Sequence, residues 1–139
     1  MVLVAPADHP LAKRSRPVRV NELACEPIVT LKPGFGIRQI TDDLFHQASV
    51  DPTVVFEAAD VPTARGLVAA GLGLAVLPPS SEGHTSGMPV ELPIDDPAAV
   101  RHVGVAFMED RYMPASARTF YEHMLNFART DLAPQTKGR

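Results

Sequence analysis

A chain of 139 residues has room for one domain with a real core, and its 45% apolar share is that of an ordinary globular protein. The net charge is −3 and no basic cluster extends beyond Lys13-Arg14-Ser15-Arg16, which argues against a duplex-binding face on this chain. No run approaches the ~18 apolar residues of a membrane span, Met1–Pro6 is too short for a signal-peptide core, and the single Cys25 forms no internal disulfide, so a cytoplasmic protein without membrane contact is expected.

Val2–Ala5 opens the chain as a short strand, and Asp8-His9-Pro10-Leu11-Ala12 is a turn. His9 has no second ligand at metal spacing and reads as a turn histidine. Lys13–Arg16 reads as a solvated loop. Asn21 is expected to cap a brief helix through Leu23, which Glu26-Pro27 ends. Cys25 lies between Glu22 and Glu26, the wrong setting for a reactive thiolate, and reads as structural. Ile28–Leu31 is a buried strand. Pro33-Gly34-Phe35-Gly36 follows it and opens a helix with an apolar stripe of Ile37, Ile40, Leu44, Phe45 and Ala48. Asp51-Pro52 turns the chain into a strand over Thr53–Ala58.

The stretch from Glu57 to Ser80 organises the rest. Asp60 is placed to cap a helix, Pro62 lies in its first turn, Thr63–Ala70 supplies helix formers, and Gly71 is a C′ stop. Leu74–Leu77 is too short for a helix and reads as a strand buried on both faces. Strand, helix and strand in so few residues predict a parallel pair with a right-handed crossover. Ser80–Gly87 is a polar loop, Met88–Ile94 a strand, Asp95-Asp96-Pro97 a turn and His102–Met108 another strand. Pro114 starts a last helix with Ala117, Phe120, Tyr121, Met124, Leu125 and Ala128 on one face, and Thr130–Arg139 frays. The alternation predicts an α/β sheet covered on both faces.

Two places suit a ligand. Lys32–Gly36 stands at a helix N-terminus, where first-turn N–H groups and the dipole favour an anion, glycine allows close approach, and Phe35 offers an apolar wall. The same residues also fit a turn that merely starts a helix. The second place is Asp60-Val61-Pro62-Thr63, at the carboxyl end of a strand; Asp60 would oppose an anion, so Thr63 is the better contact and a plain cap the simpler role for Asp60. Thr30, at the end of its strand, is a third candidate. Enzyme chemistry finds no support. The histidines (His9, His46, His84, His102, His123) show no metal-ligand spacing, there is no Gly-x-Ser-x-Gly elbow, and Gly34-x-Gly36 lacks the third glycine of a dinucleotide fingerprint. Glu122 and His123 are helix neighbours one residue apart and do not share a face. No catalytic residue, metal or cofactor is assigned.

The run Arg65-Gly66-Leu67-Val68-Ala69-Ala70-Gly71-Leu72-Gly73-Leu74-Ala75-Val76-Leu77-Pro78, with Asp8–Ala12 and Pro33–Gly36 in order and spacing, resembles the effector-binding part of a LysR-type transcriptional regulator over Val2–Ala128. The resemblance implies a type 2 periplasmic-binding-protein-like sensor with its effector in the cleft between two lobes. It implies a crossing strand and turn over residues 1–10, an essentially complete second lobe over 11–99, the return strand and final helix of a partial first lobe over 100–129, and a polar tail over 130–139. Pro33, Gly34, Phe35 and Gly36 would form the second-lobe wall of the site, with Thr63 and Thr30 beside them. The implied partners are a small-molecule effector, a carboxylate being favoured, and further copies of the chain. DNA would be reached only through a winged helix-turn-helix that this sequence does not include. With the first lobe partial, the Phe120, Tyr121, Met124 and Leu125 stripe would lie exposed or meet a partner chain. The rival reading is a dimerisation or scaffold fragment of such a regulator that binds no small molecule.

Overall fold

The computed structural model describes residues 1–80, 88–108, 110 and 112–130, so the polar loop beyond residue 80 and the tail from residue 131 lie outside the described residues. The chain divides into two compact units, Met1–Arg101 and His102 onward.

The described residues of the first unit form five strands and two α-helices. β1 is Val2–Ala5, β2 Pro27–Leu31, α1 Gly36–Gln47, β3 Thr53–Ala58, α2 Val61–Ala69, β4 Ala75–Leu77 and β5 Val90–Pro93; two 3-10 turns, Pro10–Lys13 and Val20–Leu23, lie between β1 and β2. β1 pairs antiparallel with β4 on one side and β5 on the other, which makes it an inner strand. β2 and β3 pair in parallel. The two ladders meet at a parallel bridge between Ile28 and Leu74, where Val29 N–H donates to Leu74 O at 2.7 Å and Leu74 N–H to Pro27 O at 2.8 Å. The strand order is therefore β3-β2-β4-β1-β5. The expected crossover from β3 through α2 to β4 is present, but the two strands are not neighbours, because β2 lies between them. α2 packs over β2, and after the positive-φ turn at Gly71 and Gly73 the chain enters β4 on the far side of β2, where Gly73 comes up against the backbone of Pro27.

Alternation along the inner strands fills both faces. Leu3, Ala5, Ile28, Leu74, Val76 and Leu92 pack on one side with Leu44 and Phe45 of α1 and with Leu11, Val18, Val20 and Leu23 of the β1–β2 connection. Val4, Val29, Leu31, Ala75 and Leu77 pack on the other with Ala64 and Val68 of α2 and with Ile37. In the stripe of α1, Ile37, Leu44 and Phe45 are buried, while Ile40 and Ala48 are half-buried against the first cluster. β3 closes one side of the sheet, and Val54, Val55 and Phe56 remain partly exposed there.

α2 follows the sequence closely. Asp60 is its N-cap, Pro62 lies in the first turn, and Gly71 ends it at φ +76°. Gly71 N–H donates to Val68 O and Leu72 N–H to Leu67 O, a Schellman arrangement. Asn21, by contrast, is no cap: it lies inside the Val20–Leu23 turn, whose N-cap is Arg19. Glu22 supplies the reach-back instead, its carboxylate accepting Arg19 N–H at 3.1 Å.

Glu22 also receives Arg14, and Arg16 through two hydrogen bonds of 2.8 and 3.1 Å. Arg16 first, then the Arg19 amide and Arg14, hold its carboxyl at about 2, down from 4.5. A carboxyl whose value is depressed by folding stabilises above its unfolded value, and that contribution is lost as pH falls towards the folded one. Glu22→Gln should therefore melt below the parent near neutral pH, and the gap should close as pH falls from about 4.5 to about 2. Melts followed by circular dichroism across that window would check this, and a gap independent of pH would contradict it.

In the second unit α3 spans Ala115–Thr130, and no residue of it is buried. Phe107 meets Tyr121 edge to face, with ring centroids 5.2 Å apart. His102–Met108, expected as a strand, forms none, and Val103 is 81% exposed. A strand exists only as a paired object, and the described residues of this unit supply no second strand to pair with it.

Candidate functional site

The carboxyl ends of β2 and β3 lie side by side, and each feeds a helix. These two helix N-termini are the places singled out in the sequence, and they differ in one decisive respect.

α2 is plugged. Asp60 Oδ1 accepts Thr63 N–H at 2.7 Å, and Thr63 amide and hydroxyl together hold the Asp60 carboxyl below its ordinary value. The helix already carries its own anion, and Thr63 is engaged in binding it.

α1 is open. Its N-cap is Phe35, which brings no side-chain cap, and its first turn contains no acidic residue. The N–H groups of that turn therefore face outward with the helix dipole, and among the described residues no carboxylate lies upon them. Gly34 turns the chain at φ +95°, and a Cβ placed on Gly34 or Gly36 would meet nothing within 4 Å. Phe35 stands beside this opening, 45% exposed.

The loop is held from behind. Lys32 N–H donates to Ala58 O at 3.0 Å, tying the end of β2 to the end of β3. Arg38 donates to Leu31 O at 3.0 Å, to Glu57 at 2.7 Å and through Nε to both oxygens of Asp42 at 2.8 and 2.9 Å. Glu57, then Asp42, raise its basicity further, so it is always charged. With two carboxylates on one guanidinium, Arg38 acts as a clamp on the loop rather than a cation presented to a ligand. The i, i+4 spacing of Arg38 and Asp42 was the sequence signal for half of this clamp; Glu57 is remote in sequence.

Thr30 lies within β2, one residue before the Leu31 carbonyl that Arg38 grips. It is 4% exposed, and its Oγ1 has no hydrogen-bond partner among the described residues. A buried hydroxyl without a partner is costly. Thr30 and Pro33–Gly36 thus belong to one β2–α1 connection, while Thr63 stands at the neighbouring strand end.

A second clamp was missed from the sequence altogether. Arg65 of α2 meets Glu91 of β5 at 2.7 Å and donates to Pro78 O, and Glu91 accepts Ser80 N–H at 2.8 Å. It fixes the segment leaving β4. A groove of about 580 Å³ runs along α1 from Arg38 to the α1–β3 connection and is lined by Arg38, His46, Pro52 and Val54 among others, but by none of the candidate site residues Thr30, Pro33–Gly36 and Thr63. Among the described residues no group of three His, Cys, Asp or Glu side chains could hold a metal ion, and no helix is long and apolar enough to cross a membrane.

An α/β sheet with helix N-termini gathered at the carboxyl ends of parallel strands is the architecture of a ligand-binding lobe. The chain belongs to the LysR family of transcriptional regulators: residues 1–129 match the LysR substrate binding domain. It is 33% identical over 126 residues to the uncharacterized HTH-type transcriptional regulator YybE of Bacillus subtilis strain 168, covering 91% of this chain and 42% of that protein. The chain thus spans less than half the length of this relative. Among solved structures it is similar to the CcmR regulatory domain of Synechocystis PCC6803 in complex with 2-PG, with a TM-score of 0.81 and 24% identity over 94% of this chain and 63% of that one. The effector binding domain of QuiR in complex with shikimate gives 0.79 and 21%, over 94% and 61%. The fold is the type 2 periplasmic-binding-protein-like fold of LysR effector-binding domains.

Proposed function

We propose that this chain is the effector-sensing part of a LysR-type transcriptional regulator and holds a small carboxylate at the open N-terminus of α1. The observation that carries the reading is the contrast between the two helix ends: α2 is occupied by its own Asp60, and α1 offers the same chemistry unoccupied. In this reading the first-turn amides take the carboxylate, Gly34 and Gly36 let it approach, Phe35 covers its apolar part, and the buried Thr30 hydroxyl supplies a further hydrogen bond. Thr63 lies at the rim. Shikimate, held in complex by the effector binding domain of QuiR, is a carboxylate, which accords with an anionic effector.

Residues 11–99 form the second lobe in this reading, with β1 in its sheet, and 100–129 belong to the first. The regulator works in the cytoplasm as an oligomer and meets DNA through a helix-turn-helix outside the matched residues. YybE is a transcriptional regulator, and this reading gives no residue a catalytic role. A second reading, a dimerisation or scaffold fragment without a ligand, draws on one observation: α3 buries none of its residues, and Phe120 and Phe127 are exposed.

The test is a thermal melt of the chain with a panel of small carboxylates and their neutral amides. A ligand bound only to the native state stabilises it by about 2.7 kcal/mol at a hundredfold excess over Kd. The midpoint is expected to rise with one class of carboxylates and not with the amides. A midpoint that no compound moves would favour the scaffold reading.

A further inference from the structure

We propose that the arginine cluster on residues 13–22 is a docking surface for an acidic segment of a partner protein. Four cations, Lys13, Arg14, Arg16 and Arg19, share this stretch with one acid, Glu22, in a chain whose net charge is −3. Arg14, Arg16 and Arg19 all converge on that carboxylate, Arg16 with a two-pronged grip. Their side chains remain 38%, 53% and 59% exposed. A guanidinium has five N–H donors, so one carboxylate leaves most of those in the cluster facing solvent. The place already demonstrates what it binds, because Glu22 sits in it as a carboxylate on a fork.

The backbone beneath is fixed. Val18 is buried and bridges Ile94; Val18 N–H donates to Pro93 O at 2.8 Å, and Asp95 N–H returns to Val18 O at 2.9 Å. A backbone fixed in this way spares a partner the loop-ordering part of the cost of binding. The Val18 bridge also places the cluster beside β5, on the opposite side of the sheet from β3, with β4, β1 and β5 between it and the loop after β2. A partner could therefore engage it without covering the open end of α1. A patch of four cations on an acidic chain suits a short acidic peptide; a nucleic-acid duplex calls for a broader basic face.

The test is fluorescence anisotropy of a short labelled poly-glutamate peptide against the whole chain, with a labelled DNA duplex as the comparison. The peptide is expected to bind at low ionic strength and weaken with added salt. The double substitution Arg14→Gln with Arg16→Gln should weaken it about tenfold. Glu22→Gln retains an acceptor for Arg19 N–H and releases the guanidiniums, so it should tighten binding severalfold. Phe35→Ala should leave it unchanged. Failure of the peptide to bind, tighter binding of the duplex, or indifference to the double substitution would each overturn the proposal. If the double variant does not fold, Glu22→Gln decides: unchanged affinity overturns the proposal and tighter binding upholds it.

Discussion

Gly73→Ala is expected to destabilise the first unit by about 3 kcal/mol or more, enough to lower its melting midpoint by roughly 10 °C. Two independent costs fall on this one methyl group. Gly73 sits at φ +156°, where an L side chain is strained. The added Cβ would also lie 2.6 Å from Pro27 O and 3.2 Å from Pro27 C, which are backbone atoms and cannot swing away. Pro27 O is the acceptor of Leu74 N–H, and that contact joins the two ladders into one sheet. Relief of the clash therefore means opening the seam between β2 and β4. Gly66→Ala is the matched control. It lies inside α2 with nothing within 4 Å of the new Cβ, and should stabilise the helix by about 0.5–1 kcal/mol. Urea and thermal unfolding of both variants would check the pair. Equal midpoints would show that the seam is not built as described.

Phe35→Ala should lower affinity for a carboxylate effector about tenfold while leaving the melting midpoint of the unliganded chain nearly unchanged. The asymmetry follows from where the ring stands. Phe35 is half-exposed and caps α1 without a side-chain hydrogen bond, so the fold loses little when it is trimmed. A ligand that buries the exposed part of the ring gains on the order of 1.4 kcal/mol of apolar burial, which is a factor of ten in Kd. Titration calorimetry on both proteins measures this directly. Affinity unchanged by the substitution would remove Phe35 from the site.

The parts of the fold legible in the sequence were those with local causes. Asp60, Pro62 and Gly71 bound α2 because capping, first-turn proline and left-handed glycine act within a few residues. Strand order was not legible in the same way. The adjacency of β2 and β4 depends on the close approach of Gly73 to Pro27, a contact between residues 46 apart in sequence. His102–Met108 has the composition of a strand, but composition does not supply a partner edge. Asn21 lost the capping role to Arg19 because Glu22 reaches back to its amide, an alternative that the Asn alone does not reveal.

The candidate site divides along the same line. Pro33–Gly36 could be singled out from its glycines and the stripe that follows. Its contrast with the Asp60 end could be named from the sequence, but the empty first turn of α1 required the structure. Arg38 and Arg65 escaped notice as clamps because their partners, Glu57, Pro78 and Glu91, come from other elements.

The most direct test of the open helix end is a two-dimensional amide NMR titration of the chain with benzoate, and with benzamide as the neutral counterpart. Benzoate should move the amides of Gly34, Phe35, Gly36, Ile37 and Arg38 and leave Thr63, already bound to Asp60, nearly still; benzamide should move neither. Shifts centred on Val61–Thr63, or an equal response to benzamide, would contradict the assignment of the effector site to α1.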